Sequence, residues 1–176
     1  KEDILYVHTQ KDTLTNLPKS TVFAERFLEK VQEQHAQAKQ DFLLVFLEID
    51  LRTAGYSVYD IESEAKFHQA ILDTVRVRFA DLEVFSILFG EYILVLPYAR
   101  EQSGEHLKTE IVQLLNARIE MDGTMISSFN RMGFRDTYTY EIQTYDDAQE
   151  ILKQLLYCRS VLKKENQLHY YSFKDY

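Results

Sequence analysis

A chain of 176 residues with 45% hydrophobic content, 12 Tyr and 11 Phe holds enough apolar material for one packed domain, and no apolar run approaches the roughly 20 residues that span a bilayer. A formal charge of -8 excludes a general phosphate-binding surface, since non-specific nucleic-acid affinity comes from clustered Lys and Arg that displace counterions. The single Cys158 excludes a disulfide framework and a CxxC metal site.

These features predict a soluble domain in a reducing, cytoplasmic compartment, with no DNA or RNA partner. An anionic ligand would need a local basic pocket. No signal peptide opens the chain. It begins at Lys1 rather than Met, so residues 1-11 read as the end of an upstream linker or helix. Residues 12-176 read as one domain, and a membrane anchor elsewhere in a longer protein is left open.

In chain order, Leu17-Pro18 followed by Lys19-Ser20 predicts a turn, after which Phe23, Phe27, Leu28 and Val31 recur at helical spacing to about Ala38. The run "DFLLVFLEID" at 41-50 predicts a central strand buried on both faces, with its carboxylates at the C-terminal end. A second helix is expected from Ser57, capped by the Ser57/Asp60 pair, with His68, Ile71, Leu72, Val75 and Phe79 on one stripe. His68 has no second ligand at helical spacing, so a packing role is expected.

The stretch "SILFGEYILVLP" predicts a hairpin, with strands near 83-88 and 91-97. A third helix is expected over about 101-116, then an extended segment, a turn at Asp122-Gly123 and a strand. The fourth helix carries Thr144 as its N-cap with Asp147 three residues on, and a last strand, "LHYYSF", follows it. Helix, strand, helix, hairpin, helix, strand, helix and strand in that order imply a mixed sheet with helices on its faces.

This order, together with "DTLTNLPKSTVF" at 12-23, resembles the GGDEF domain family, the diguanylate cyclases, whose opening signature is D-x-L-T-G-L-P-N-R-x-x-F. Asp12, Leu14, Thr15, Leu17, Pro18 and Phe23 agree with it, and Asn16 replaces the usual Gly. The segments "SSFNRMGF" and "LLYCRSVLKKENQLHYY" resemble the family's closing strand, helix and strand. The resemblance implies an α/β (α+β) fold with a central mixed, mostly antiparallel sheet of about five strands flanked by helices. Active members condense two GTP molecules, held by two domains, into cyclic di-GMP. Hairpin glycines admit the nucleotide and carboxylates hold a divalent metal against its phosphates.

Against that chemistry the hairpin has become "LFGEY". Aligning Glu91 and Tyr92 with the end of the family motif places Leu88 and Phe89 on its two glycines and Gly90 on its metal-binding acid. Ser86 stands where an Arg is common. Glu48 and Asp50 occupy the D-x-D positions, while "LRTAGYSVYDIESEA" lacks the family's substrate-binding pairs. A catalytically inactive, degenerate member is therefore expected, with no metal and no cofactor. Glu48, Asp50 and Glu91 could together attract a cation; the plainer reading, preferred here, is three solvated acids at strand ends.

Many family members carry an R-x-x-D product site before the hairpin, and this chain has Arg78 and Asp81 there, in "RFAD". A guanidinium fork can donate to guanine O6 and N7 or to phosphate, and a carboxylate can accept from guanine N1 and N2. Six residues, Leu82 to Ile87, separate Asp81 from the motif where the family usually has five, so a one-residue bulge is expected in the strand. Arg76 and Arg100 are candidates for further charge. The plainer alternative is that Arg78 and Asp81 end a helix, with the Arg near its last carbonyls.

By resemblance, then, the chain reads as a cyclic di-GMP receptor reporting to an attached or partner output protein, membrane-bound or not, such as an exopolysaccharide machinery of biofilms. A dimer is left open. Two other readings stand beside it: an interaction module docking protein through Leu88 and Phe89, and a regulatory GTP site at the altered hairpin.

Overall fold

The computed structural model describes residues 11-35, 40-50, 61-102, 104-116, 118-121, 123-126, 129-164 and 170-173. The Ser57/Asp60 cap, the segment 51-60, residues 1-10 and Asp122 lie outside the described residues.

Among the described residues four α-helices, α1 (Phe23–His35), α2 (Ile61–Arg78), α3 (Gly104–Leu115) and α4 (Tyr145–Lys164), are interspersed with seven strands. The strands are β1 (Gln40–Asp50), β2 (Glu83–Ser86), β3 (Glu91–Ala99), β4 (Ile119–Met121), β5 (Thr124–Ile126), β6 (Phe129–Thr137) and β7 (Tyr170–Phe173). Five of them form one sheet in the order β2-β3-β1-β6-β7, antiparallel except for the parallel β6/β7 pair. This is the mixed, mostly antiparallel sheet expected from the sequence. One element differs: the extended segment before the Gly123 turn pairs with the residues just after it as a separate two-stranded ribbon, β4/β5, and only β6 joins the main sheet.

β1 lies at the centre of the sheet and is buried from Asp41 to Leu47. Successive side chains leave a strand on opposite faces. Leu43, Val45, Leu47 and Ile49 accordingly meet Phe67, Ile71 and Val75 of α2 and Ile111 and Leu115 of α3. On the other face Phe42 and Leu44 join Phe23, Phe27 and Val31 of α1 and Ile151 and Leu155 of α4. Phe27 meets Phe42 edge-on at 5.3 Å between ring centroids.

Phe46 packs with Cys158 and Leu162 of α4 where Gly133 of β6 leaves room. A Cβ on Gly133 would stand 2.9 Å from the Cys158 Cβ, so the glycine sets how closely α4 approaches the sheet. Burial there pushes the Cys158 thiol up to about 12, as befits a packing residue.

The cap expected on the fourth helix is present. Asp147 N–H donates to Thr144 Oγ1 at 3.2 Å and Thr144 N–H donates back to Asp147 Oδ2 at 3.0 Å. Those backbone bonds to its carboxylate, from Gln143 and Thr144, hold the Asp147 pKa below the usual range.

Candidate functional site

The β2/β3 hairpin bends through Ile87 to Gly90. Its ladder from Glu83 to Ser86 is regular, so the expected bulge is absent and the additional residue falls outside the paired segment. The bend is closed by Glu91 N–H donating to Leu88 C=O at 2.8 Å and Ile87 N–H donating to Glu91 C=O at 2.9 Å. Gly90 takes φ +83°, a conformation that only glycine adopts freely, and its carbonyl accepts from Ile49 N–H at 2.8 Å. A Cβ at Gly90 would stand 3.3 Å from the Ile49 carbonyl oxygen and 3.4 Å from the His68 ring. Backbone geometry therefore keeps this glycine, while the aligned acid position carries no oxygen ligand.

The strand register places Glu48 of β1 opposite Glu91 on one side and Arg131 on the other. Glu91 is only 5% exposed, and Arg159 of α4 grips its carboxylate with both ends of the guanidinium fork, at 2.8 Å and 2.6 Å. That contact holds Arg159 still more firmly in its charged form. Arg131 stands 3.3 Å from Glu48 and 3.9 Å from Asp50. The acids at the strand ends are thus paired and largely buried, a correction to the solvated acids expected from the sequence. The cations that cover these acids lie 68 and 83 residues away along the chain, so nothing local in the sequence marks the strand ends as paired.

Among the described residues, the side chains gathered here do not fit a divalent cation of the kind phosphoryl transfer needs. Such ions take about six oxygen ligands. Three carboxylates share two guanidinium groups, and Glu48 Oε2 is the one oxygen of the trio that is buried without a hydrogen bond among the described residues. No group of three or more metal-ligating side chains occurs among the described residues.

Beneath the bend, His68 is fully buried and its Nδ1 lies 3.0 Å from the Tyr92 hydroxyl, so the expected packing residue is also a polar anchor for β3. Glu64 Oε1 stands 3.7 Å from His68 Nε2, which has no hydrogen-bond partner among the described residues. Phe89 folds over the imidazole at 5.0 Å between ring centroids. Burial lowers the His68 pKa to about 4 and raises that of Tyr92. Both groups are therefore neutral near pH 7.

Leu88 and Phe89 remain 59% and 40% exposed. With Glu48, Asp50, Glu64, Gly90 and Glu91 they line a concavity of about 400 Å³.

The opening signature forms a loop docked against this hairpin. Asp12 Oδ1 accepts from Leu14 N–H at 2.8 Å, and its Oδ2 accepts from the Ser86 hydroxyl at 2.8 Å. Ser86 N–H donates to Pro18 C=O at 2.8 Å. Asn16 takes φ +58°, which accounts physically for Gly being usual there, Asn being among the residues that best tolerate this region. Ser86, at a position where an Arg is common, ties the two segments together.

The remaining candidates stand at the opposite end of β2. Arg78 ends α2, 56% exposed, pairs with Glu110 of α3 and lies 4.7 Å above the Phe79 ring. It opens on a concavity of about 650 Å³ shared with Phe79, Pro97, Gln102, His106 and Glu110. Asp81, also exposed, lines another concavity of about 540 Å³ with Arg26, Lys30, Glu83 and Pro97. The two R-x-x-D residues thus flank Pro97 from different sides. Arg76 pairs with Asp73 on its own helix at 3.5 Å. Arg100 binds Asp41 at 3.1 Å and the Thr139 hydroxyl at 2.7 Å, tying the end of β3 to β1. Neither Arg76 nor Arg100 lines the concavity of Arg78.

Sequence reasoning missed Arg131 and Arg159, although both lie in the quoted closing segments, and Glu64 and Glu110, which lie in none; all four meet their partners only through the fold.

No family model matches this sequence, and no curated protein matches it. Solved structures do. A diguanylate cyclase/phosphodiesterase from Caldicellulosiruptor saccharolyticus superposes with a TM-score of 0.69 at 15% identity, over 97% of this chain and 98% of that one. The GGDEF domain of DgcB from Caulobacter crescentus, solved in complex with cyclic di-GMP, gives 0.63 at 12% identity over 94% of each chain. The diguanylate cyclase SiaD from Pseudomonas aeruginosa, solved with its activator SiaC, gives 0.57 at 15% identity over 91% of this chain and 62% of that one. What this chain shares with these proteins, across nearly its whole length, is the fold of the GGDEF domain.

Proposed function

We propose that the domain is a non-catalytic receptor for cyclic di-GMP that uses Arg78 as its principal contact and Asp81 as a second. One observation carries this reading. The carboxylates at the hairpin are taken up by Arg131 and Arg159, whereas the Arg78 guanidinium stands exposed at the mouth of a concavity. Its donors suit an acceptor edge, whether phosphate or guanine O6 and N7. A neighbour of the same fold, DgcB, was solved with cyclic di-GMP, which supports the choice of ligand. Leu88 and Phe89 at the glycine positions and Gly90 at the acid position support the loss of cyclase activity. The receptor would act through an attached or partner protein on a bacterial output such as exopolysaccharide production.

Calorimetric titration of the 176-residue chain with cyclic di-GMP should give heat that Arg78→Ala abolishes or weakens at least about tenfold, the loss of a charge-assisted bidentate contact. Equal affinity in the variant, or absence of heat both in the wild type and in a chain relieved of the Glu110 carboxylate, would overturn the reading. Incubation with GTP and magnesium should yield no cyclic di-GMP by chromatography.

A second reading, an interaction module, is favoured by the exposure of Leu88 and Phe89 side by side at the bend. The neighbour SiaD, solved with its activator, supports protein contacts in this fold. Retained partner binding after Arg78→Ala, lost after Leu88→Ser with Phe89→Ser, would select it. GTP at the hairpin ranks below both, because Glu48, Asp50, Glu64 and Glu91 line that concavity and repel a triphosphate.

A further inference from the structure

We propose that Glu110 is a built-in competitor for the Arg78 guanidinium, so that the ligand is admitted only as this carboxylate is displaced, and that the ligand sits on the α2/α3 side of Pro97, against Phe79, Gln102 and His106. This rests on the reading of Arg78 as the ligand-binding group and deepens it.

Arg78 presents two kinds of surface. Its flat face lies 4.7 Å above the Phe79 ring, and its Nε donor is taken by one carboxylate oxygen of Glu110 from α3, 32 residues further along the chain. A phosphate or guanine gripped in bidentate fashion on the Nε side needs that same donor, and Nε–H cannot serve Glu110 and a bidentate ligand at once. The pair is replaceable. Arg78 is more than half exposed, and exposed ion pairs contribute only about 0 to 1 kcal/mol. Displacement leaves Phe79 beneath the guanidinium, so its orientation survives the exchange. Until it moves aside, the Glu110 carboxylate also repels an anionic ligand at the very group that would bind it.

The seat follows from what lines each concavity. Arg78 opens on the space of about 650 Å³ that includes Phe79, Gln102, His106 and Glu110, whereas Asp81 opens on the space lined by Arg26, Lys30 and Glu83. A ligand held by Arg78 therefore meets an aromatic ring, an amide and an imidazole, none of which belongs to a recognised motif. Asp81 reaches the ligand only across Pro97.

The test is calorimetry with cyclic di-GMP on the whole chain, comparing wild type, Glu110→Gln and Glu150→Gln. The last removes the same charge from α4, which packs on the other face of the sheet. Thermal unfolding of each variant checks the fold. Glu110→Gln should tighten binding about two- to fivefold, the reciprocal of a surface ion pair's worth, while Glu150→Gln leaves affinity within about 1.5-fold. His106→Ala should weaken binding at least about threefold, the loss of one neutral hydrogen bond or ring contact. Binding by Glu110→Gln alone, with a silent wild type, upholds the competitor in its strongest form.

Wild-type binding that Glu110→Gln leaves unchanged or weakens overturns the competitor and leaves the receptor reading standing. Unchanged affinity in His106→Ala overturns the seat. Silence from both wild type and Glu110→Gln overturns the receptor reading as well.

Discussion

Two glutamate–arginine pairs mark the two ends of the β2/β3 ladder, and they are the same chemistry placed in different surroundings. At the bend, Glu91 is 5% exposed and held by both ends of the Arg159 fork. At the far end, Glu110 meets an Arg78 that is 56% exposed. A buried carboxylate cannot lose its partner without standing as an uncompensated charge, whereas an exposed guanidinium can exchange one acceptor for another at little cost. The first pair fixes the hairpin and the second is open to exchange.

Removing a partner is the most direct way to break this contrast. Arg159→Ala should destabilise the domain by about 3 to 4 kcal/mol, read by urea unfolding, because Glu91 is left buried and unpaired. Replacing both members together, Glu91→Gln with Arg159→Met, should cost less than the single change. A double mutant that is worse than Arg159→Ala would show that the bend needs charge rather than satisfaction.

The His68 site sharpens the contrast through pH. Its folded pKa, lowered to about 4 by burial, lies below the ordinary value of 6.5, so the unfolded chain binds the additional proton between those values. Stability contributed by neutral His68 is complete above about pH 6.5 and is lost as pH falls toward 4. The loss should reach about 2 to 3 kcal/mol and should be absent in His68→Phe. Glu64 and Tyr92 face the ring, so Glu64→Gln should steepen the loss if the carboxylate shelters the imidazolium.

Gly90→Ala tests the bend itself. The positive φ and the 3.3 Å approach to the Ile49 carbonyl oxygen predict a cost of about 1 to 2 kcal/mol in the same unfolding assay. Smallest of all, Arg78→Ala should change stability by less than about 1 kcal/mol, which separates its expected effect on binding from any effect on folding.

The order of elements was legible in the sequence because it rests on local periodicity. The apolar run 41-50 became the central strand, and Thr144 with Asp147 became a working cap. Asp12, Leu14 and Pro18 marked the opening loop, although nothing local indicated that Ser86 would bind it. The site was legible as positions but not as a state. Whether Glu48 and Glu91 are solvated depends on Arg131 and Arg159, brought near by strand register and by the packing of α4, and a motif cannot carry that information. The same holds for Arg78, where spacing found the residue while Glu110 and the division at Pro97 arise from how α3 lies against α2. The expected bulge failed for a related reason, since counting residues between motifs does not say whether an additional one enters the ladder or a loop.

The two-sided burial of β1 has a consequence for how this fold chooses its pairing. In a strand with one wet face, a slip of one residue is punished by polarity, because apolar groups turn toward water. Here a slip would trade one dry interior for another, and hydrophobicity alone could not detect it. What differs between the two interiors is size: Phe42, Leu44 and Phe46 on one side, Leu43, Val45 and Leu47 on the other. The correct alignment is therefore specified by volume along the strand and by polar clasps at its ends, Asp41 to Arg100 and Glu48 to Arg131. The acids at the end of β1 thus act as a stop that tells the sheet where to halt.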